Sequence, residues 1–112
     1  MIKVADLAAL PGMQLISPGT SLEAEVSRVF AADTMSELIA HASPGTLLLT
    51  HLDNAQLGRV AELMDVPAIC LLDGAQPGRD LLDAAATAGA AVLVSPVGAV
   101  ETIRALEGRL AS

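Results

Sequence analysis

Tryptophan and tyrosine are absent from this 112-residue sequence, and Phe30 is its one phenylalanine. Without aromatic platforms for stacking, single-stranded nucleic acid has little to grip. Positive charge is scarce too. Six Lys and Arg stand against thirteen Asp and Glu, giving a formal net charge of -7 and a sequence pI near 4.5, the wrong sign for a binder of phosphate backbones. No nucleic-acid partner is expected. Cys70 alone excludes a disulfide framework, and two histidines with one cysteine cannot furnish a four-ligand structural zinc site unless carboxylates assist. Long apolar runs are missing as well: the uncharged stretch from Ala84 to Val100 is broken by Thr87, Gly89, Ser95, Pro96 and Gly98 and falls short of the ~20 residues a spanning helix needs. No membrane partner is expected either. Asp6 and Pro11-Gly12 interrupt any signal-peptide core, so the expected location is cytoplasmic, where a lone cysteine needs no partner.

What the sequence has is aliphatic. Hydrophobic residues make up 53 per cent of it, and a chain of this length buries somewhat over ~60 per cent of its unfolded surface, enough for one core. A single domain over 1–112 is the expectation. Four of the six prolines are followed by glycine, at Pro11-Gly12, Pro18-Gly19, Pro44-Gly45 and Pro77-Gly78, and each pair predicts a turn in which glycine takes the positive φ. Between these turns lie the uncharged runs Thr46–Thr50, Ala68–Leu72 and Ala91–Val94, the pattern of parallel strands covered on both faces. Each is followed by helical spacing: Leu57, Val60, Ala61 and Met64; Leu81, Ala84, Ala85 and Ala88; then Val97, Val100, Ile103, Leu106 and Leu110 along one side of a final helix opened by Ser95 and Pro96. The βαβαβα order predicts an α/β fold with helices on both faces of a mainly parallel sheet.

The front third is less regular. Ile2, Ala5 and Ala9, with Val4, Leu7 and Ala8 alongside, predict a short helix ending at Pro11-Gly12; Gln14 to Ile16 predicts a short strand and Val26 to Ala31 a longer one. Thr34-Met35-Ser36-Glu37 has the capping-box pattern and starts a helix that runs to Ser43-Pro44.

Catalytic signatures do not appear. Lys3 is the only lysine, so there is no P-loop and no kinase-type lysine, and neither Gly-x-Gly-x-x-Gly nor Gly-x-Ser-x-Gly occurs. A receiver-like phosphoacceptor at Asp53 lacks the late-strand lysine it would need. Cys70, between Ile69 and Leu71, reads as a small buried hydrophobe, and His41 as a favourable charge at a helix C-terminus. His51 is placed differently. It follows Thr50 and precedes Asp53 and Asn54 at the carboxyl edge where open α/β sheets collect ligands, although Asp53 or Asn54 as a helix cap explains part of that cluster. No nucleophile or oxyanion arrangement completes a general base there.

The run from Val29 to Ala40, with Asp33 and Ser36 at its centre, resembles the block of DRTGG domains in which Gly-Asp-Leu-Leu-Ser recurs, and Ile2-Lys3-Val4-Ala5-Asp6-Leu7 is similar to the start of stand-alone members. Ser43 to His51 resembles the family's Gly-containing turn and following strand, with Asn54 near its His-x-Asn segment; Val66 to Gly74 and Gly89 to Ser95 resemble two further strands. The Asp-Arg-Thr-Gly-Gly string itself is absent, Leu72-Asp73-Gly74-Ala75-Gln76 standing in its place. The resemblance implies a three-layer α/β/α sandwich with a mainly parallel sheet, like the N-terminal domains of HPr kinase/phosphorylase and of Mur ligases. It also implies a regulatory or ligand-sensing domain that is not an enzyme and carries no cofactor. The P-loop half of HPr kinase has no counterpart here, so no serine kinase is implied. Expected ligand-binding residues are Asp33, Thr50, His51, Asn54, Gly74 and Ser95, at strand ends where helix N-termini offer amides to an anionic small molecule or nucleotide. No metal site is expected. The abundance of aliphatic side chains predicts a homodimer. Two alternatives stay open: a nucleotide or nucleotide-sugar binding accessory domain, and a protein-interaction adaptor whose acidic surface meets a basic protein partner.

Overall fold

The computed structural model describes residues 2–20 and 22–110, with the side chain of Leu110 outside the described part. In chain order the elements are β1 (Ile2–Lys3), α1 (Val4–Leu7), β2 (Gln14–Ser17), β3 (Glu25–Val26), β4 (Arg28–Ala31), α2 (Met35–His41), β5 (Thr46–Thr50), α3 (Ala55–Met64), β6 (Ala68–Leu71), α4 (Arg79–Ala88), β7 (Ala91–Val94) and α5 (Ala99–Leu110). The main sheet has the order β2-β7-β6-β5-β4. Strands β4 to β7 are parallel neighbours in sequence order, and β2 adds to β7 antiparallel, with a bulge between Leu15 and Ser17.

The uncharged runs become strands because both faces of this sheet are covered. On one face Leu48, Ile69, Leu71, Val92 and Val94 pack with Leu38 of α2, Leu57, Val60 and Ala61 of α3, and Leu81 and Ala85 of α4. The alternate side chains, Leu47, Leu49, Cys70 and Leu93, pack with Val4 and Leu7 of α1, Val26 of β3 and Leu106 of α5. This is a three-layer α/β/α fold. Four parallel strands laid side by side in sequence order, joined by right-handed crossovers, put α2, α3 and α4 on one face and leave α1 and α5, with β1 and β3, to close the other. Burial pushes the Cys70 thiol up to about 12, which makes it a packing residue.

Several expectations are corrected. The strand expected over Val26 to Ala31 is broken at Ser27: the amides of Ser27 and Arg28 both donate to the Gly45 carbonyl, at 2.9 and 3.1 Å, and Val26 turns away to pair with Ile2. At the start, Ile2 and Lys3 are strand. Only Val4–Leu7 is helix, and its inward side chains are Ile2, Val4, Leu7 and Leu10, with Ala5 and Ala9 exposed. The final helix begins at Ala99 instead of Pro96, because Val97 spends its carbonyl on the Asp73 amide at 2.9 Å. Its buried side is therefore Thr102 and Leu106, with Val97 and Val100 exposed and Leu110 outside the described side chains. Of the four Pro-Gly pairs, Gly12, Gly19 and Gly45 have positive φ, while Gly78 is extended at φ -81 and precedes α4 as its N-cap.

Candidate functional site

Parallel strands in register end together. Leu49 pairs with Ala31 and with Cys70, and Thr50 with Leu71, so the residues that follow β4, β5 and β6 emerge at one carboxyl edge. After β4 comes Asp33, held next to Thr34, whose hydroxyl accepts from the Glu37 amide at 3.4 Å and so caps α2. Glu37 makes no return contact to the cap among the described residues, so only the hydroxyl half of the capping box forms. After β5 comes His51, and after β6 comes Asp73, in the left-handed region at φ 55.

These three side chains meet. Nδ1 of His51 lies 2.9 Å from Oδ2 of Asp33, and Nε2 lies 2.6 Å from Oδ2 of Asp73. Oδ1 of Asp33 also accepts from the His51 amide at 2.7 Å and from the Thr50 hydroxyl at 3.1 Å. Both ring nitrogens therefore face carboxylate oxygens, and only the doubly protonated imidazolium can donate to both. The Asp73 carboxylate, and after it that of Asp33, raises the pKa of His51 above its ordinary value, partial burial opposing them. Asp33 is lowered below the usual carboxylate range, chiefly by the His51 amide and then by the imidazole and the Thr50 hydroxyl, again against some burial. The group is about half exposed, with side-chain accessibilities of 46, 56 and 58 per cent for His51, Asp33 and Asp73.

A second clamp leaves the same loop. Both oxygens of Asp53 accept from the Gly78 amide, at 3.0 and 2.9 Å, tying the loop after β5 to the start of α4. Asn54 caps α3 by accepting from the Leu57 amide at 3.0 Å. Thus Asp33, Thr50 and His51 stand in direct contact, whereas Asn54 is turned to its own helix. Gly74 follows Asp73 and donates its amide to the Ser95 carbonyl at 2.8 Å. The Ser95 hydroxyl is buried against Thr102 Oγ1 at 2.8 Å and does not face the edge. Sequence reasoning passed over Asp73. Its signal was there: a polar residue just beyond an uncharged strand run, as at His51 and Asp33, masked by an Asp-Gly pair that reads as a turn.

Chemically the arrangement suits tethering more than proton abstraction, since a general base needs a free lone pair and both His51 nitrogens are engaged. Among the described residues no group of three His, Cys, Asp or Glu is arranged to hold a metal ion. Beside the cluster is a cleft of about 160 Å³ lined by Gly12, Gln14, Gly74, Gln76, Val94 and Pro96, bridged where Gln76 Nε2 donates to Gln14 Oε1 at 3.2 Å. That is below the roughly 300 Å³ at which small-molecule pockets begin. A wider groove of about 460 Å³ lies between α3 and α4, lined by Arg59, Glu62, Asp80 and Asp83 among others.

No family model and no curated protein matches the sequence. Among solved structures, the regulatory region of Clostridium perfringens pyrophosphatase, comprising CBS and DRTGG domains and complexed with its activator diadenosine tetraphosphate, is similar at a TM-score of 0.68 and 14% identity. The alignment covers 92% of this chain and 46% of that one, so this chain spans about half the length of that region. At such identity the likeness is one of architecture. The chain has a DRTGG-like three-layer α/β/α fold.

Proposed function

We propose that this chain is a non-catalytic regulatory domain that senses a small ligand, a nucleotide first among candidates, at the carboxyl edge of its sheet. The observation that carries this proposal is the meeting of Asp33, His51 and Asp73, which joins three successive loops by side chains that a ligand can rearrange. The likeness to a region captured with a nucleotide activator supports the same direction. Helices α3 and α4 open at this edge, where first-turn amides favour anions. Asp33, Asp53 and Asp73 oppose a bare polyphosphate, so a nucleotide is expected to bind together with Mg²⁺. The domain is further proposed to work in the cytoplasm, and to do so as a homodimer; the dimer alone is supported by exposed aliphatic side chains such as Leu63 at 81 per cent. Sedimentation showing a single-chain mass of 11.4 kDa would contradict the dimer.

The test is a thermal-shift screen against diadenosine tetraphosphate, adenine, guanine and uridine nucleotides, UDP-sugars and sugar phosphates, with and without Mg²⁺. At ~100 times its dissociation constant a ligand adds about 2.7 kcal/mol, on the order of 10 °C in Tm. The expected result is such a shift with at least one compound, lost in His51→Ala. A folded protein indifferent to every compound would overturn ligand sensing in favour of an adaptor that binds another protein.

A further inference from the structure

The loop between β6 and α4, residues 72–78, is held at its ends and middle by different kinds of bond. The Asp73 amide donates to the Val97 carbonyl at 2.9 Å and the Gly74 amide to the Ser95 carbonyl at 2.8 Å. Gln76 reaches across the cleft to Gln14, and Gly78 is gripped by Asp53. The Asp73 side chain is fixed by His51 Nε2 at 2.6 Å. Of these ties, only the His51 bond depends on a proton that comes and goes near neutral pH. Asp73 and Gly74 both sit in the left-handed region, at φ 55 and φ 71. An aspartate there is less favourable than glycine, so the loop is bent against its own preference at Asp73.

From this geometry we infer that His51 is a proton-operated latch: protonated it ties the β6–α4 loop to the loop after β4, and on losing its proton it lets go of Asp73 and keeps Asp33. The asymmetry follows from the partners. A neutral imidazole donates from one nitrogen and presents a lone pair at the other. Asp33 has independent donors in the His51 amide and the Thr50 hydroxyl, fixing it against Nδ1. His51 Nε2 is the only side-chain partner of Asp73 among the described residues. The neutral ring therefore keeps Nδ1–H toward Asp33 and turns a lone pair on the Asp73 carboxylate.

The charged surroundings favour the same outcome. Facing His51 are Asp33 from the β4–α2 loop and Asp73 from the β6–α4 loop; Asp53, on its own loop, is occupied by Gly78. From α5 comes Glu101, whose carboxylate accepts from the Gly98 amide at 3.0 Å. A Cβ placed at Gly98 would lie 3.4 Å from Glu101 Oε2 and 3.6 Å from Asp73 Oδ1, so both carboxylates border the same spot. Once the imidazolium charge is gone, Asp73 has a carboxylate neighbour on the α5 side and no other ion-pair partner among the described residues. Movement of Asp73 would carry Gly74 and Gln76, which line the cleft beside β2, and so widen a cleft that measures about 160 Å³ with the latch engaged.

The experiment is an NMR titration of the full chain from about pH 5 to pH 9, following the imidazole Cε1–H resonances, with His41→Gln assigning His51, and the backbone amides of residues 72–78. The expected midpoint for His51 is above about 6.5, and the Asp73 and Gly74 amide shifts should move with that same midpoint. Their exchange protection should fall about tenfold across it. In Asp73→Asn, which needs no rearrangement of the core, the His51 midpoint should fall and the loop amides should stop following pH. Loop amides that ignore the His51 titration, or a midpoint unchanged in Asp73→Asn, would overturn the latch. No ligand enters this test, so its failure leaves ligand sensing at the edge untouched.

Discussion

At the scale of single residues, the sequence showed where polarity breaks out of an apolar core. Thr50 and His51 stand at and just past the end of a fully buried run, and Asp33 just past an uncharged, partly buried one, and that abruptness made them visible. Asp73 has the same position but is disguised by Gly74, and no local pattern distinguishes a turn aspartate from one that receives an imidazole 22 residues away in sequence. The pair chemistry fixes a pH window for stability. Because the folded form raises His51, its contribution is fully present below about 6.5 and is lost as pH rises through the raised value; because it lowers Asp33, that contribution is present above about 3.9 and is lost as pH falls through the lowered value. The urea midpoint should therefore be highest between these limits and flatter with pH in His51→Gln. Cys70 offers a second check. Fully buried, with its thiol pushed up to about 12, it should resist a maleimide at pH 8 in native protein and react at once in denaturant; rapid native labelling would contradict that packing.

At the scale of elements, periodicity located α3 and α4 but not how closely they approach. Gly58 is buried between them, and a Cβ there would fall 2.8 Å from the Ala84 carbonyl carbon and 2.9 Å from the Ala85 amide nitrogen. Alanine gains about 1 kcal/mol in intrinsic helix preference, yet overpacking costs roughly 1–3 kcal/mol, and a clash with backbone cannot be relieved by a rotamer. Gly58→Ala should thus lower the denaturation midpoint; a rise would show that the helices separate freely. The last helix tests the corrected register in the same way. Leu106 is fully buried and Val100 is 57 per cent exposed, so Leu106→Ala should cost about 2–5 kcal/mol and Val100→Ala within about 0.5 kcal/mol. Reading Val97 and Val100 as inward failed because the carbonyl that would have started a helical turn was claimed by Asp73, a contact between segments that spacing does not encode.

At the scale of the whole molecule, the parallel core was legible because strands buried on both faces leave a distinctive uncharged signature, and because helical spacing separates them. The connections that close the sheet were not. That β2 joins β7 antiparallel, and that Val26 abandons β4 for Ile2, depends on which backbone groups remain unpaired once the core has formed. The site shares this character: its residues come from three loops, and only strand register brings them together. The cleft at that edge, about 160 Å³, is smaller than the roughly 300 Å³ at which small-molecule pockets begin, so the proposed sensing of a nucleotide there would call for the β6–α4 loop to move. The most direct measurement is a backbone amide NMR titration with diadenosine tetraphosphate and Mg²⁺ near neutral pH. Sensing at the carboxyl edge predicts saturable shifts concentrated at Asp33–Thr34, His51–Ala55 and Asp73–Arg79. Amides in those three segments that stay fixed at millimolar ligand, or shifts confined to other faces, would contradict it.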